Sequence, residues 1–186
     1  MTQGEFFGYV IEVLEKLNIP YMITGSVASI AYSKARLTLD MDIVTDISPI
    51  QARQLAEHFG ADFYADADSI LEAIRLRGHF NIIHIPSASK VDFYLLKPDP
   101  FGREEFSRRQ RIAFDDRITA SFAKPEDVIL GKLDFYLEGK SQKHLDDIRK
   151  LLEIQQDSLD ISYIEQWAKK KGTYDIWLTL KSKKIK

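Results

Sequence analysis

Residues 21–45, YMITGSVASIAYSKARLTLDMDIVT, decide the architecture of this chain. Residues 21–24 read as a short apolar strand and Gly25-Ser26 as a turn. A short helix rich in Ala and Ser follows over 26–33, then a second strand over 38–45 that carries Asp40 and Asp42. Side chains alternate between the two faces of a strand, so Asp40 and Asp42 project together while Met41 and Ile43 pack behind them. Two neighbouring carboxylates repel, and without a cation between them one is driven towards its protonated form. A hard divalent ion with oxygen ligands, magnesium above all, removes the conflict.

The remaining chain can be placed around this segment. Phe6, Phe7, Val10, Ile11, Val13, Leu14 and Leu17 recur at helical spacing over 3–17, behind Thr2 as cap, and Asn18 and Pro20 end that helix. Ser48 and Pro49 open a helix that Gly60 closes. Residues 62–65 read as a weak strand, and Asp66 or Asp68 caps a helix running to Arg77, closed by Gly78. Residues 79–85 and 90–96 are apolar strands joined by PSAS, the pattern of a hairpin. KPDPFGREEFSRRQ begins as a turn and continues as a short helix, and 111–114 with 118–122 form a second hairpin about Asp115 and Asp116. From Lys124 the pattern is helical over 125–137, 144–154 and 161–171, with Gly139 and Gly172 as stops and KSKKIK as a solvated basic tail. The expected organisation is therefore an α/β (α+β) part with a mixed sheet over 1–123 and a helical part over 124–186.

Composition narrows the class. A chain of 186 residues supports one sizeable core, or one domain with a helical appendage. With 45% apolar and 29% charged residues it has the balance of an ordinary soluble domain. No apolar run reaches the length of a membrane span and MTQGEFFGYV lacks the pattern of a signal peptide, so a cytoplasmic protein is expected. The absence of cysteine removes disulfides, thiolate metal sites and cysteine nucleophiles together, and leaves oxygen or imidazole as metal ligands. A formal charge of −2 gives no overall pull towards nucleic acid.

Asp40, Asp42 and Asp46 are spaced like the start of an EF-hand loop, but the sixth and twelfth positions hold Thr45 and Gln51 in place of Gly and Glu. Two other features fit the Asp pair better. Gly25-Ser26 stands where a strand hands over to a helix, and free backbone N–H groups there favour a phosphate; Gly allows close approach and Ser adds a hydroxyl. Asp92, in KVDFYLL, is a carboxylate inside an apolar strand, which is costly unless Lys90, a metal or a mobile proton compensates it.

Gly25, Ser26, Asp40 and Asp42 in GSVASIAYSKARLTLDMDIV match the motif Gly-Ser, spacer, Asp-x-Asp, and with Asp92 on a later strand the chain resembles the nucleotidyltransferase superfamily related to DNA polymerase β. Arg36 and Thr38, in Arg-x-Thr-x-Asp-x-Asp, resemble a variant common in bacterial members. PEDVILGKLDFYLEGKSQKHLDDIRKLL is similar to a segment of the small bacterial branch that includes abortive-infection toxins, so the resemblance runs over about 20–152.

The resemblance implies a magnesium-dependent transferase that moves a nucleotidyl group from a nucleoside triphosphate, ATP by preference, to a hydroxyl. Asp40 and Asp42 would hold magnesium, and Asp92 would serve a second ion or take the acceptor's proton. Gly25, Ser26, Arg36 and Thr38 would line the nucleotide, and Lys132 and Lys143 would neutralise its phosphates. The helical part would close over the nucleotide cleft. Lys132 can equally be a stem over the helical core, and Lys143 an i,i+3 partner of Asp146. The acceptor can be an antibiotic-like small molecule, a tRNA end or a protein side chain, and nothing in the residues chooses. A catalytically silent member would act as a binding partner, as in a toxin–antitoxin pair, and direct nucleic-acid binding would require a basic face. His58, His79, His84 and His144 show no ligand spacing, and His84 reads as a core residue. Arg103, Arg108, Arg109 and Arg111 form a basic run that could meet an acceptor or phosphate, although such a run is more often a solvated helix face.

Overall fold

The computed structural model describes residues 1–33, 38–155 and 157–182. The first helix, α1 (Gln3–Lys16), starts at a reciprocal cap in which the Glu5 N–H donates to Thr2 Oγ1 at 3.3 Å and the Thr2 N–H to Glu5 Oε2 at 2.6 Å. Then follow β1 (Tyr21–Thr24), α2 (Gly25–Ala31), β2 (Asp40–Thr45), α3 (Pro49–Glu57), β3 (Phe63–Tyr64), α4 (Ala67–Leu76), β4 (His79–His84), β5 (Ser89–Leu95), α5 (Pro100–Arg108), β6 (Gln110–Ala113) and β7 (Thr119–Phe122). Among the described residues the strands form one sheet in the order β3-β4-β5-β2-β1-β7-β6. It is mixed: β2 runs parallel to β5 and β1 parallel to β7, while the remaining neighbours are antiparallel.

One face of the sheet is the core. Met41 and Ile43 of β2, Val91 and Phe93 of β5, Phe80 and Ile82 of β4 and Ile23 of β1 all point there and are buried. Phe80 and Phe93 stack with centroids 4.7 Å apart. The apolar stripe of α1 covers this face, with Phe6 stacked on His84. His84 is buried and shares a 2.7 Å hydrogen bond with the Ser87 hydroxyl, so it is a satisfied core residue.

The chain continues as α6 (Pro125–Gly139), α7 (Gln142–Gln155), α8 (Ile161–Lys170) and α9 (Tyr174–Ser182). These helices belong to one compact unit, Ala28–Arg36 with Lys124–Lys186; the other unit is Met1–Val27 with Leu37–Ala123. Val128, Ile129, Leu130, Leu133, Ile148, Leu151, Ile164 and Trp177 make the helical core. Three polar locks cross it. Asp127 accepts the Tyr163 hydroxyl at 2.6 Å, Glu126 accepts the Asp160 N–H at 3.0 Å, and Lys132 donates to Asp147 at 2.8 Å.

Two local features depart from the sequence reading. The residue in the left-handed region at the end of α4 is Arg77 (φ +49°), and at the end of α6 it is Lys140 (φ +52°); the glycines beside them, Gly78 and Gly139, do not take that role. At α4, the Gly78 N–H closes the turn on Ala73 O at 2.9 Å. α9 begins just after Gly172, with φ +70° there, and buries Trp177 and Leu180 one turn apart in a stretch, 173–180, for which the sequence reading gives no element.

Candidate functional site

The β2–β5 ladder builds the site. Parallel register sets Asp40 beside Lys90, Asp42 beside Asp92 and Val44 beside Tyr94. By alternation these six residues share the face opposite the core, with neighbouring strands about 4.8 Å apart. Two carboxylates thus stand directly abreast, an arrangement that destabilises a sheet unless charge is supplied.

Lys90 supplies part of it. Its Nζ lies 2.6 Å from Asp92 Oδ2, with the Lys90 side chain 41% exposed and that of Asp92 12%. The hydrogen bond to Asp92 raises the Lys90 pKa above its ordinary value, with the charges of Asp92 and Asp40 adding to it and burial opposing. Tyr94 senses the same field. Its pKa is raised first by burial, then by the charges of Asp42, Asp92 and Asp40, with Lys90 acting the other way.

Asp42 also reaches Gly25. A Cβ built on Gly25 would stand 2.0 Å from Asp42 Oδ2, and Gly25 has φ +63°. Both the backbone conformation and the close approach require glycine there. Because Thr24, the last residue of β1, pairs with Asp42, the turn into α2 lies against the carboxylate end of the site.

Other expected site residues fall as follows. Thr38 donates its hydroxyl to Asp40 O at 3.2 Å, bracing the entry to β2. Arg36 lies outside the described residues. Lys132 and Lys143 belong to the helical unit. Lys132 is buried in its ion pair with Asp147, the two side chains 5% and 4% exposed, whereas Lys143 is exposed at the start of α7. Asp146 is engaged by Arg149 at 2.6 Å and by Gln142 at 3.2 Å. In the arginine run, the Arg109 guanidinium lies 4.2 Å over the Phe106 ring and Arg111 pairs with Glu15.

The donors suit a hard divalent cation in kind, being carboxylates on adjoining strands. Their present arrangement fits in part. Among the described residues no three acidic or histidine side chains converge as a ready-made cage, and one carboxylate of the constellation, Asp92, is bonded to Lys90. Lys90 and Tyr94 were absent from the sequence-derived site. Their spacing from Asp92 puts all three on one face, but their proximity to Asp40 and Asp42 depends on strand pairing that no local pattern reveals.

No protein-family model and no curated protein matches the chain. Solved structures do. It is similar to an antigenic nucleotidyltransferase-like protein from Paracoccidioides brasiliensis, with TM-score 0.56 and 16% identity over 96% of this chain and 92% of that one. It is similar to the antibiotic-resistance factor ANT(2″)-Ia in complex with adenylyl-2″-tobramycin, with TM-score 0.57 and 14% identity over 93% of this chain and 98% of that one. A lincosamide antibiotic adenylyltransferase with lincomycin bound matches with TM-score 0.54 and 16% identity, over 83% of this chain and 98% of that one. The chain has the fold of the nucleotidyltransferase superfamily. Among the described residues no helix is long and apolar enough to cross a membrane.

Proposed function

We propose that the protein is a magnesium-dependent nucleotidyltransferase that moves a nucleotidyl group, from ATP by preference, to a hydroxyl acceptor. The observation that carries this reading is the convergence of Gly25 and Asp92 on Asp42, one by contact and the other by register.

Asp40 and Asp42 would hold magnesium, with Asp92 completing the set. When bound, the ion supplies positive charge to the oxygens of the α-phosphate as they gain charge. The chain's own residues do the rest. Backbone N–H groups of the Gly25-Ser26 turn and the Ser26 hydroxyl bind the β- and γ-phosphates. Thr38 holds the Asp40 backbone, and Arg36 and Lys143 keep the part in phosphate binding that the resemblance implies. Lys132, committed to Asp147, supports the helical unit that carries Lys143.

In the transfer itself the acceptor oxygen forms a bond to the α-phosphorus, the bond to the bridging oxygen breaks, and pyrophosphate leaves with its electron pair. Asp92 takes the hydroxyl proton where it is not serving a second ion. The acceptor is a small molecule, a tRNA end or a protein side chain. The adenylyl-2″-tobramycin and the lincomycin bound in the similar structures favour testing small hydroxylated molecules first.

The experiment is incubation with ATP labelled at the α-phosphate and fractionated cell extract, with pyrophosphate release followed in parallel. Label entering one fraction, dependent on magnesium and lost in Asp42→Asn, is the expected result. No label in any fraction, alongside a stable protein partner in a pulldown, would favour a silent binding role of the toxin–antitoxin kind.

A further inference from the structure

We propose that Lys90 is the resident counter-cation of this site: its ammonium holds Asp92 away from the divalent-ion position and leaves when that ion binds. The proposal rests on the cation-site reading above and adds a positioning residue to it.

The argument starts from charge. Asp40, Asp42 and Asp92 share one sheet face, and the register puts Lys90 beside Asp40 while its Nζ bonds Asp92 at 2.6 Å. Lys90 is thus in contact with one carboxylate and next to another, the neighbourhood that a bridging divalent ion requires. A divalent ion and an ammonium cannot share it cheaply, since like charges repel strongly at such range. Of the two Asp92 oxygens Oδ2 is engaged by Lys90, so a cation that takes both oxygens has to displace the ammonium.

Lys90 is built to leave. Its side chain is 41% exposed, and a flexible four-carbon stem carries a strongly hydrated head that water receives readily. Asp92, 12% exposed, is the less free of the two. Lys90 therefore acts through Asp92, lowering cation affinity in the resting protein and limiting the charge repulsion that an empty site would otherwise carry.

Four Mn²⁺ titrations of the full chain, of wild type, Lys90→Gln, Lys90→Arg and Asp42→Asn, with free ion followed by its paramagnetic resonance signal, test this. Lys90→Gln should bind Mn²⁺ roughly tenfold more tightly than wild type, because a like charge has been removed from the site. Lys90→Arg, which keeps the charge, should not gain affinity. A second readout needs no variant: acetylation of wild-type Lys90, followed by mass spectrometry, should accelerate when Mn²⁺ is added. Equal or weaker binding by Lys90→Gln, with binding still lost in Asp42→Asn, would overturn the role of Lys90 and leave the cation site standing. Absence of Asp42-dependent binding in every form would overturn both.

Discussion

Lys132 and Lys90 each hold an aspartate at close range, 2.8 Å to Asp147 and 2.6 Å to Asp92, and their surroundings give the two pairs different work. The Lys132 pair lies inside the helical unit with side chains 5% and 4% exposed, so neither charge has water to fall back on. The Lys90 pair lies on a sheet face with Asp42 abreast of Asp92 and Asp40 beside Lys90. The first is a lock between α6 and α7. The second leaves acidic charge in excess, which is what a cation-dependent site needs before its ligand arrives. Bond length alone does not distinguish the two settings; solvent access and neighbouring charge do.

The strongest way to break the contrast is at the buried pair. Lys132→Met strands the Asp147 charge, and stability should fall by about 3–5 kcal/mol in a urea titration, with much of the loss recovered in Lys132→Met/Asp147→Leu. Recovery would show that the pair adds little net stability over well-packed apolar residues.

Asp42→Asn addresses the other pair's setting. Magnesium-dependent ATP affinity should drop by about a hundredfold, roughly 2.8 kcal/mol, while stability in chelator does not fall, because a repulsive neighbour of Asp92 has gone. Gly25→Ala comes next. A side chain at φ +63° costs about 1–2 kcal/mol, and the new methyl must push Asp42 aside, so unfolding free energy and nucleotide affinity should decline together.

Smaller effects sharpen the picture. Lys90→Gln should change stability in chelator by less than about 1 kcal/mol, the range of a half-exposed ion pair, against the larger loss at Lys132. The smallest expected effect is spectroscopic. Tyr94 ionises above its ordinary range because of burial and the adjoining carboxylates. Its raised pKa favours folding below the ordinary tyrosine value, a contribution lost as pH climbs through the folded one. Asp42→Asn in chelator should shift the Tyr94 absorbance transition to lower pH, and no shift would mean that Asp42 does not act on the Tyr94 ring.

What could be read in advance follows from which interactions are local. Strand β1, the cap of α1 and the Ser48-Pro49 start of α3 rest on neighbours in sequence, and the expected mixed sheet and nucleotidyltransferase fold agree with the structure. The pairing of β2 with β5 is non-local, with α3, β3, α4 and β4 between them in the chain, so Lys90 could be noted as a neighbour of Asp92 but not of Asp40. Helix α9 does not follow from the sequence reading because Gly172 reads as a final stop; the spacing of Trp177 and Leu180 is the signal that marks it. The left-handed caps at Arg77 and Lys140 show a local preference for glycine overridden by the turn that the chain had to make.

The central claim is that the carboxylates beside the Gly25 turn bind a nucleotide through a divalent cation. Calorimetric titration of ATP into wild type and Asp42→Asn, each with magnesium and with chelator, tests it most directly. The account predicts the tightest binding for wild type with magnesium, about a hundredfold weaker binding for Asp42→Asn with magnesium, and none for either form in chelator. Binding that persists in chelator, or that Asp42→Asn leaves unchanged, would contradict it.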